Sequence, residues 1–246
     1  MKLCVQPMLT LGLLLTLAPW GRAAEPGAEQ LRGMIETVSP AAAGAKVAIP
    51  AIAELLRDRD RYVRITAAHT LERMGPAAVP SLAELLLDPE ASVRELAANA
   101  LRHIGPDAKA AVPALMERLR DPDPAVRDAA TLALRDIGPE AKVAIPAMAE
   151  LLRDSDRYVR ITAAHALERM GPEAVPSVVK VLWDSEAPVR ELAARVLRQL
   201  GTDAKPAIPA LVERLRDPDP AVRDAAALAL RDIGLEAKPS GLQGRL

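Results

Sequence analysis

The chain has 246 residues, 50% of them hydrophobic and 26% charged, with 32 Lys+Arg against 33 Asp+Glu and a formal net charge of −1. It contains no Phe, two Trp, two Tyr and one Cys. Such a near-neutral balance, with signs alternating in runs such as Glu54-Leu-Leu-Arg-Asp58, reads as a solvated surface and excludes the basic face of a nucleic-acid binder. An Ala/Leu/Arg/Glu-rich chain without Phe favours closely packed helices over a globular core built on large aromatics.

Residues 1–23 read as a secretory signal peptide. Lys2 supplies the basic start, Met8 to Ala18 the apolar stretch, and Gly21-Arg22-Ala23 a small-x-small cleavage site. The apolar run is short of the roughly 20 residues that span a bilayer, and Pro19 ends it. An uncleaved anchor is the alternative. Cys4 precedes the apolar stretch, whereas a lipid-modified cysteine would follow it. Cleavage removes Cys4, Lys2 and Arg22, leaving 30 basic and 33 acidic residues and a net charge of about −3. The mature chain then has no disulfide, thiolate metal site or cysteine nucleophile. The expected location is periplasmic or secreted, with no membrane span after cleavage. Residues 24–41 form an N-terminal capping helix, Pro26 to Val38, and a linker; Ser39-Pro40 stands where later units carry Gly-Pro.

Residues 42–234 divide into six repeats, with approximate bounds 42–75, 76–105, 106–138, 139–171, 172–201 and 202–234. Each holds a proline (Pro50, Pro80, Pro113, Pro146, Pro176, Pro209), an aspartate eight residues later, Val-Arg five further on, and a glycine twelve after the valine. The prolines are spaced 30, 33, 33, 30 and 33 residues apart. The three extra residues always fall between the glycine and the next proline, in the connection and not in a helix. Lys46–Gly75 matches Lys142–Gly171 at 27 of 30 positions, so a three-unit block was copied. A fixed period of this length predicts an array in which each unit buries its apolar face against its neighbours.

Within the third unit, Val112, Leu115, Met116 and Leu119 follow helical spacing and predict a first helix, with Pro113 near its start. Asp121-Pro-Asp-Pro breaks that helix. Asp123 caps the second, Pro124 takes its first position, and Val126, Ala130, Ala133, Leu134 and Ile137 form its buried stripe. Gly138 ends it in a left-handed conformation, and Pro139 prevents continuation. Alanine recurs at the centre of every second helix (Ala67, Ala97, Ala130, Ala163, Ala193, Ala226), which predicts close helix approach. The repeated Asp and Arg, for example Asp121 and Arg127, read as a structural ladder in which each arginine forks to the aspartate of its own or the next unit. The tail, residues 235–246, supplies no polar closing helix, so the outer side of the sixth unit is expected to stay uncovered and to permit end-to-end self-association.

The pattern I-P-A-L-x-x-L-L-x-D-x-x-x-x-V-R-x-x-A-A-x-A-L-x-x-I-G, from about Ala42 to Gly234, resembles the HEAT repeat, and in particular the short bacterial type of phycobilisome-lyase-like proteins. The resemblance implies an all-α, α-α superhelix of six hairpins whose second helices line a concave side that binds other proteins. It also brings in an enzymatic alternative, bilin lyases and deoxyhypusine hydroxylase. The hydroxylase would need His-Glu dipeptides in several units; the histidines here read His69-Thr70, His103-Ile104 and His165-Ala166, so no such site carries over. An export signal fits poorly with a cytosolic bilin pathway.

Helical projection places the residues at −1, +2, +6 and +9 from each valine opposite the buried stripe. In units one and four these are Tyr62, Ile65, His69, Glu72 and Tyr158, Ile161, His165, Glu168. An outward Tyr-Ile-His cluster has the chemistry of a protein-binding anchor; packing of Tyr and Ile on the preceding unit is the competing reading. The two clusters lie about 30 Å apart at roughly 10 Å per unit. Trp183, which replaces the arginine found as Arg57, Arg120, Arg153 and Arg216, is a further candidate anchor, with packing within the hairpin as the competing reading. His69-x-x-Glu72 and His165-x-x-Glu168 supply two metal ligands each, fewer than the three or more normal for a transition metal. No catalytic order, phosphate loop or carboxylate pair stands out. The expectation is a non-catalytic, exported scaffold that holds a protein or peptide, needs no cofactor or metal, and binds no nucleic acid.

Overall fold

A computed structural model describes residues 45–234, and side-chain environments from Ala48 onward. The proposed leader, the capping helix and the tail lie outside the described residues. The described residues form twelve α-helices in six hairpins: α1 (Ala45–Glu54) with α2 (Arg61–Met74), α3 (Val79–Leu85) with α4 (Ala91–Ile104), α5 (Val112–Arg118) with α6 (Pro124–Ile137), α7 (Ile145–Glu150) with α8 (Arg157–Met170), α9 (Val175–Val181) with α10 (Ala187–Leu200), and α11 (Ile208–Arg214) with α12 (Pro220–Asp232). The result is the all-α repeat solenoid that the period predicts.

Local chemistry sets each hairpin. In the third unit, Asp121 Oδ1 accepts from the Asp123 amide at 3.0 Å and Asp123 Oδ1 accepts from the Ala125 amide at 2.8 Å. The first carboxylate therefore closes the turn and the second caps α6, with Pro124 at the start where its missing donor costs least. The first helices are short, and α1 and α7 finish in 3₁₀ turns, Leu55–Arg57 and Leu151–Arg153.

At the far end of each second helix the structure corrects one detail. Gly138 has φ +80° but ψ −134°, outside the left-handed helical region and in one that only glycine enters freely. The second helix ends at Ile137 ahead of Pro139, as expected, and Pro139 sits at the start of a 3₁₀ segment, Gly138–Ala144, at a position that tolerates a missing amide. The glycine turns the chain sharply enough for one helical segment to follow another directly.

The core is one continuous cluster running through all six hairpins. Val126, Ala130, Ala133, Leu134 and Ile137 are all fully buried, as are all six central alanines. The second helices, at 13–14 residues, pack against one another more extensively than the shorter first helices do.

The joints come in two kinds. Seven-residue 3₁₀ segments, Gly105–Ala111, Gly138–Ala144 and Gly201–Ala207, link units two to three, three to four and five to six. Four-residue segments, Gly75–Ala78 and Gly171–Ala174, link units one to two and four to five. Across long joints the second helices close on each other (α4 on α6, α6 on α8, α10 on α12). Across short joints the first helices touch (α1 with α3, α7 with α9) and the second helices draw apart (α2 from α4, α8 from α10).

The arginine ladder follows the same division. At the long joints Arg94, Arg127 and Arg190 each fork from Nε and Nη2 to both oxygens of the next unit's aspartate, Asp121, Asp154 and Asp217, at 2.7–2.9 Å. Their Nη1 groups return to their own unit's loop carbonyls, as when Arg94 donates to Asp88 and Pro89. At the short joints Arg64 and Arg160 keep only the loop bonds, to Asp58 and Arg59 and to Asp154 and Ser155. The aspartates across those joints, Asp88 and Asp184, are taken by Arg57 and Arg153 from the preceding first-helix layer.

Candidate functional site

Where α8 and α10 part, a groove of about 360 Å³ opens on the second-helix side. From α8 it is lined by Arg157, Arg160, Ile161, Ala164, His165 and Glu168, and from α10 by Pro188, Glu191, Leu192, Arg195, Val196 and Gln199. Its floor is aliphatic and its rim charged. A second depression of about 390 Å³ across the next joint shares Glu191 and Arg195 and adds Arg198, Ala221, Asp224, Ala225 and Leu228. The two together form a continuous surface over units four to six.

The rim charges are only partly neutralised from within. His165 Nδ1 lies 3.0 Å from a Glu168 oxygen. Arg195 stands one turn from Glu191 at 3.8 Å. Nε and Nη2 of Arg160 have no acceptor among the described residues, because its ladder partner is held by Arg153. Arg157 has no carboxylate partner among them either, and its side chain is exposed.

The predicted anchors fall in different places. Ile161 and His165 line the groove. Tyr158, at the start of the same helix, is 75% exposed and stands outside the lining. In unit one Tyr62 is 72% exposed and His69 is exposed, while Ile65 is half-buried. His69 and His103 each place Nδ1 about 3 Å from a different oxygen of Glu72, so the first short joint is bridged by a histidine that the second lacks. Trp183 is half exposed at the end of α9, and the Arg214 guanidinium lies 4.1 Å from its ring centroid. That contact joins the first-helix layers of units five and six, so Trp183 is separate from the groove. Among the described residues no group of three or more His, Cys, Asp or Glu is placed to hold a metal ion.

Projection of single helices missed Arg157, Arg160, Leu192, Val196 and Gln199. Leu192 lies toward the neighbouring helix and is partly exposed where α8 and α10 separate, while Val196 beneath it stays fully buried. Arg160 carries the same Val-Arg motif as every other unit. The usable signal was the distance along the chain: the ladder spans 27 residues where it forms, and Arg160 to Asp184 is 24.

A stack of helical hairpins with one continuous core and an open groove on its second-helix face defines an α-solenoid. HEAT repeats match residues 32–102, 79–145, 112–198 and 179–246, and the chain belongs to the HEAT-repeat family. No curated protein matches it. Among solved structures it is similar to an engineered protein at 25% identity and a TM-score of 0.51, over 76% of this chain and 98% of that one. Looser similarity extends to the complex of CpcE and CpcF of phycocyanin lyase from Nostoc sp. PCC7120, at 23% identity and a TM-score of 0.43, over 86% and 97% of the two chains. A designed armadillo repeat protein in complex with peptide (KR)4 superposes at 20% identity and a TM-score of 0.48, over 75% and 99%.

Proposed function

We propose that the protein is an exported, non-catalytic scaffold that holds a protein or peptide on the face of its second helices. The observation that carries this reading is the groove between α8 and α10, with exposed Tyr158 at its approach and Ile161 on its wall. Neither side chain is needed for the hairpin stack, whose buried stripe is complete without them. A large aromatic and a branched aliphatic side chain left in water beside an aliphatic trough suit an anchor pocket for a partner. An open groove contacts an extended chain along its length, whereas catalysis on a small substrate favours an enclosed site. Export rests on the leader-like residues 1–23, Met1 to Ala23.

The exposed first-helix side of unit six supports a second mode of contact, end-to-end self-association. Leu215 is 40% exposed where its counterpart Leu119 is 1% exposed, and Val212 beside it is 47% exposed.

The test is capture of partners from the extracytoplasmic fraction on wild-type protein and on an Ile161→Glu/Tyr158→Ala variant. A partner held by the wild type and lost by the variant, with circular dichroism unchanged, is expected. Equal recovery on both would overturn the second-helix face as the binding surface. Sedimentation velocity of wild type against Leu215→Glu tests the end contact; a monomer at every concentration removes it.

A further inference from the structure

We propose that the groove between α8 and α10 recognises an acidic side chain of an extended peptide, with the carboxylate gripped by Arg160 and Arg157 and the flanking apolar residues seated on Ile161 and Leu192. The inference rests on the peptide-binding reading above and names the chemistry of its ligand.

The ladder shows what Arg160 is built to hold. In the three long joints the equivalent arginine presents Nε and Nη2 to a carboxylate in a two-point fork, with Nη1 tied back to two loop carbonyls. Arg160 keeps both loop bonds, at 2.6 and 3.0 Å, so its guanidinium is anchored from behind in the same way. Only the acceptor is missing. The short connection, Gly171–Ala174, separates α8 from α10, and Arg153 has taken Asp184. What remains is an anchored guanidinium edge on the wall of a groove. Planar two-point recognition of a carboxylate is what such an edge does best.

Charge complementarity points the same way. The groove holds three arginines against two glutamates. Glu168 is engaged by His165, and Glu191 stands beside Arg195. That balance leaves the groove net positive, and the two arginines without a carboxylate partner among the described residues, Arg157 and Arg160, are both on α8. The aliphatic floor between them and α10 accommodates the apolar part of a chain whose acidic side chain reaches the α8 wall.

The equivalent short joint between α2 and α4 lacks this combination. Arg64 is likewise without a carboxylate, but Pro188, Arg195 and Gln199 are there replaced by Ser92, Asn99 and His103. His103 also closes across that joint onto Glu72. The copied block therefore supplies an internal comparison that keeps the anchored arginine together with Arg61, Ile65, Glu72 and Leu96, and differs at Ser92, Asn99, Ala100 and the bridging His103.

The experiment uses fluorescein-labelled octapeptides of alternating Leu-Glu, Leu-Gln and Leu-Lys, titrated into the full chain and followed by anisotropy. The Leu-Glu peptide is expected to bind at least about tenfold more tightly than the other two. Arg157→Glu, which removes no hydrogen bond of the fold, and Arg160→Gln should each erase that preference, while Arg61→Glu and Arg64→Gln in the first short joint leave it intact. Tighter binding of the Leu-Gln or Leu-Lys peptide, lost in Ile161→Glu, would overturn the acidic specificity and leave the docking face standing. Leu-Glu binding that is indifferent to Arg157→Glu would overturn the assignment to this groove. Binding of none of the three peptides at millimolar concentration would overturn the proposal, while partner capture by the wild type and not by the Ile161→Glu/Tyr158→Ala variant would still uphold the broader reading.

Discussion

The joint between units three and four and the joint between units four and five are made from the same motif, yet one is closed and the other open. In the first, α6 and α8 pack tightly and Arg127 forks onto Asp154. In the second, α8 and α10 stand apart, Arg160 reaches no carboxylate, and a groove lies between them. The difference is three residues of 3₁₀ helix, Gly138–Ala144 against Gly171–Ala174. A longer connection lets the second helices close; a shorter one brings the first helices together and opens the opposite side. In a solenoid each unit touches only its neighbours, so one connection can retune one gap and leave the others alone.

The largest expected effect comes from breaking the ladder where it is closed. Arg94 and Asp121 have side chains 9% and 1% exposed. Asp121→Ala leaves the guanidinium buried without its partner and removes the turn's acceptor, at a cost of about 3–5 kcal/mol. At the open joint Asp88 is held by Arg57, whose side chain is 43% exposed and can return to water. Asp88→Ala should therefore cost about 1–2 kcal/mol, chiefly the turn hydrogen bond. Urea melts of both variants measure the contrast. Equal losses would mean that the two joints are held with equal force.

Steric probes should separate the joints next. Ala98 and Ala164 occupy the same register of a second helix, five residues after Val93 and Val159. Ala98 faces a closed joint and is completely buried, while Ala164 lines the groove. Phenylalanine at 98 overpacks the joint and should cost about 1–3 kcal/mol. Ala164 is 6% exposed and borders the groove, so the same residue there has room on one side and should cost less than at 98 while obstructing the groove. Similar losses at both sites would show that the gap closes in solution.

Most of the fold was legible in the sequence, because each unit states its own solution: a proline in the first helix, an aspartate at the turn with a second acid two residues on (aspartate in four units, Glu90 and Glu186 in the others), valine and small residues on one stripe, and glycine at the end. The repeat of those signals in all six units fixed the buried faces, and the six central alanines are buried as their positions require. The glycine backbone was read only in part. Positive φ follows from the residue type, but ψ depends on the 3₁₀ segment that comes next, as at Gly138. The groove was the least legible. Val-Arg looks identical in units three and four, and what separates Arg127 from Arg160 is the length of a connection beyond the far end of the helix. Such a contact is decided by the distance between elements and not by the residues that would make it. Trp183 was singled out because it breaks a recurring arginine position, and its contact with Arg214 could not be foreseen from a pattern confined to one unit.

Restoring the missing length is the direct way to interconvert the joints. Placing three residues, Asp-Ala-Lys, into the segment after Gly171 would raise the Arg160–Asp184 separation from 24 to the 27 residues of the ladder joints. The expected result is a fork from Arg160 onto Asp184 and closure of α8 on α10. A double-mutant cycle on Arg160 and Asp184 should then read a coupling of about 1 kcal/mol or more, against nearly none in the parent chain. An unchanged coupling would mean that something other than connection length holds the joint open.

The smallest effect is the response of the ladder to acid. Hydrogen bonds from Arg190, against the opposing push of burial, and then the Asp219 amide and the charges of Arg190 and Arg214, hold the Asp217 carboxyl below the usual carboxylate range. At Asp121 burial is the strongest influence and would raise the group, but Arg94 and the Asp123 amide more than reverse it. Because the unfolded chain takes up these protons first, near pH 4, each group stabilises the fold above that pH and ceases to do so as pH falls through its lower folded value. Stability should therefore decline below about pH 4, and Asp217→Asn should make that decline shallower although the variant is less stable at neutral pH. Urea midpoints between about pH 5 and pH 2 measure the slope. A slope as steep in the variant as in the parent would mean that the closed joints do not draw on the charge of their aspartates, and that packing of the second helices alone distinguishes them from the open ones.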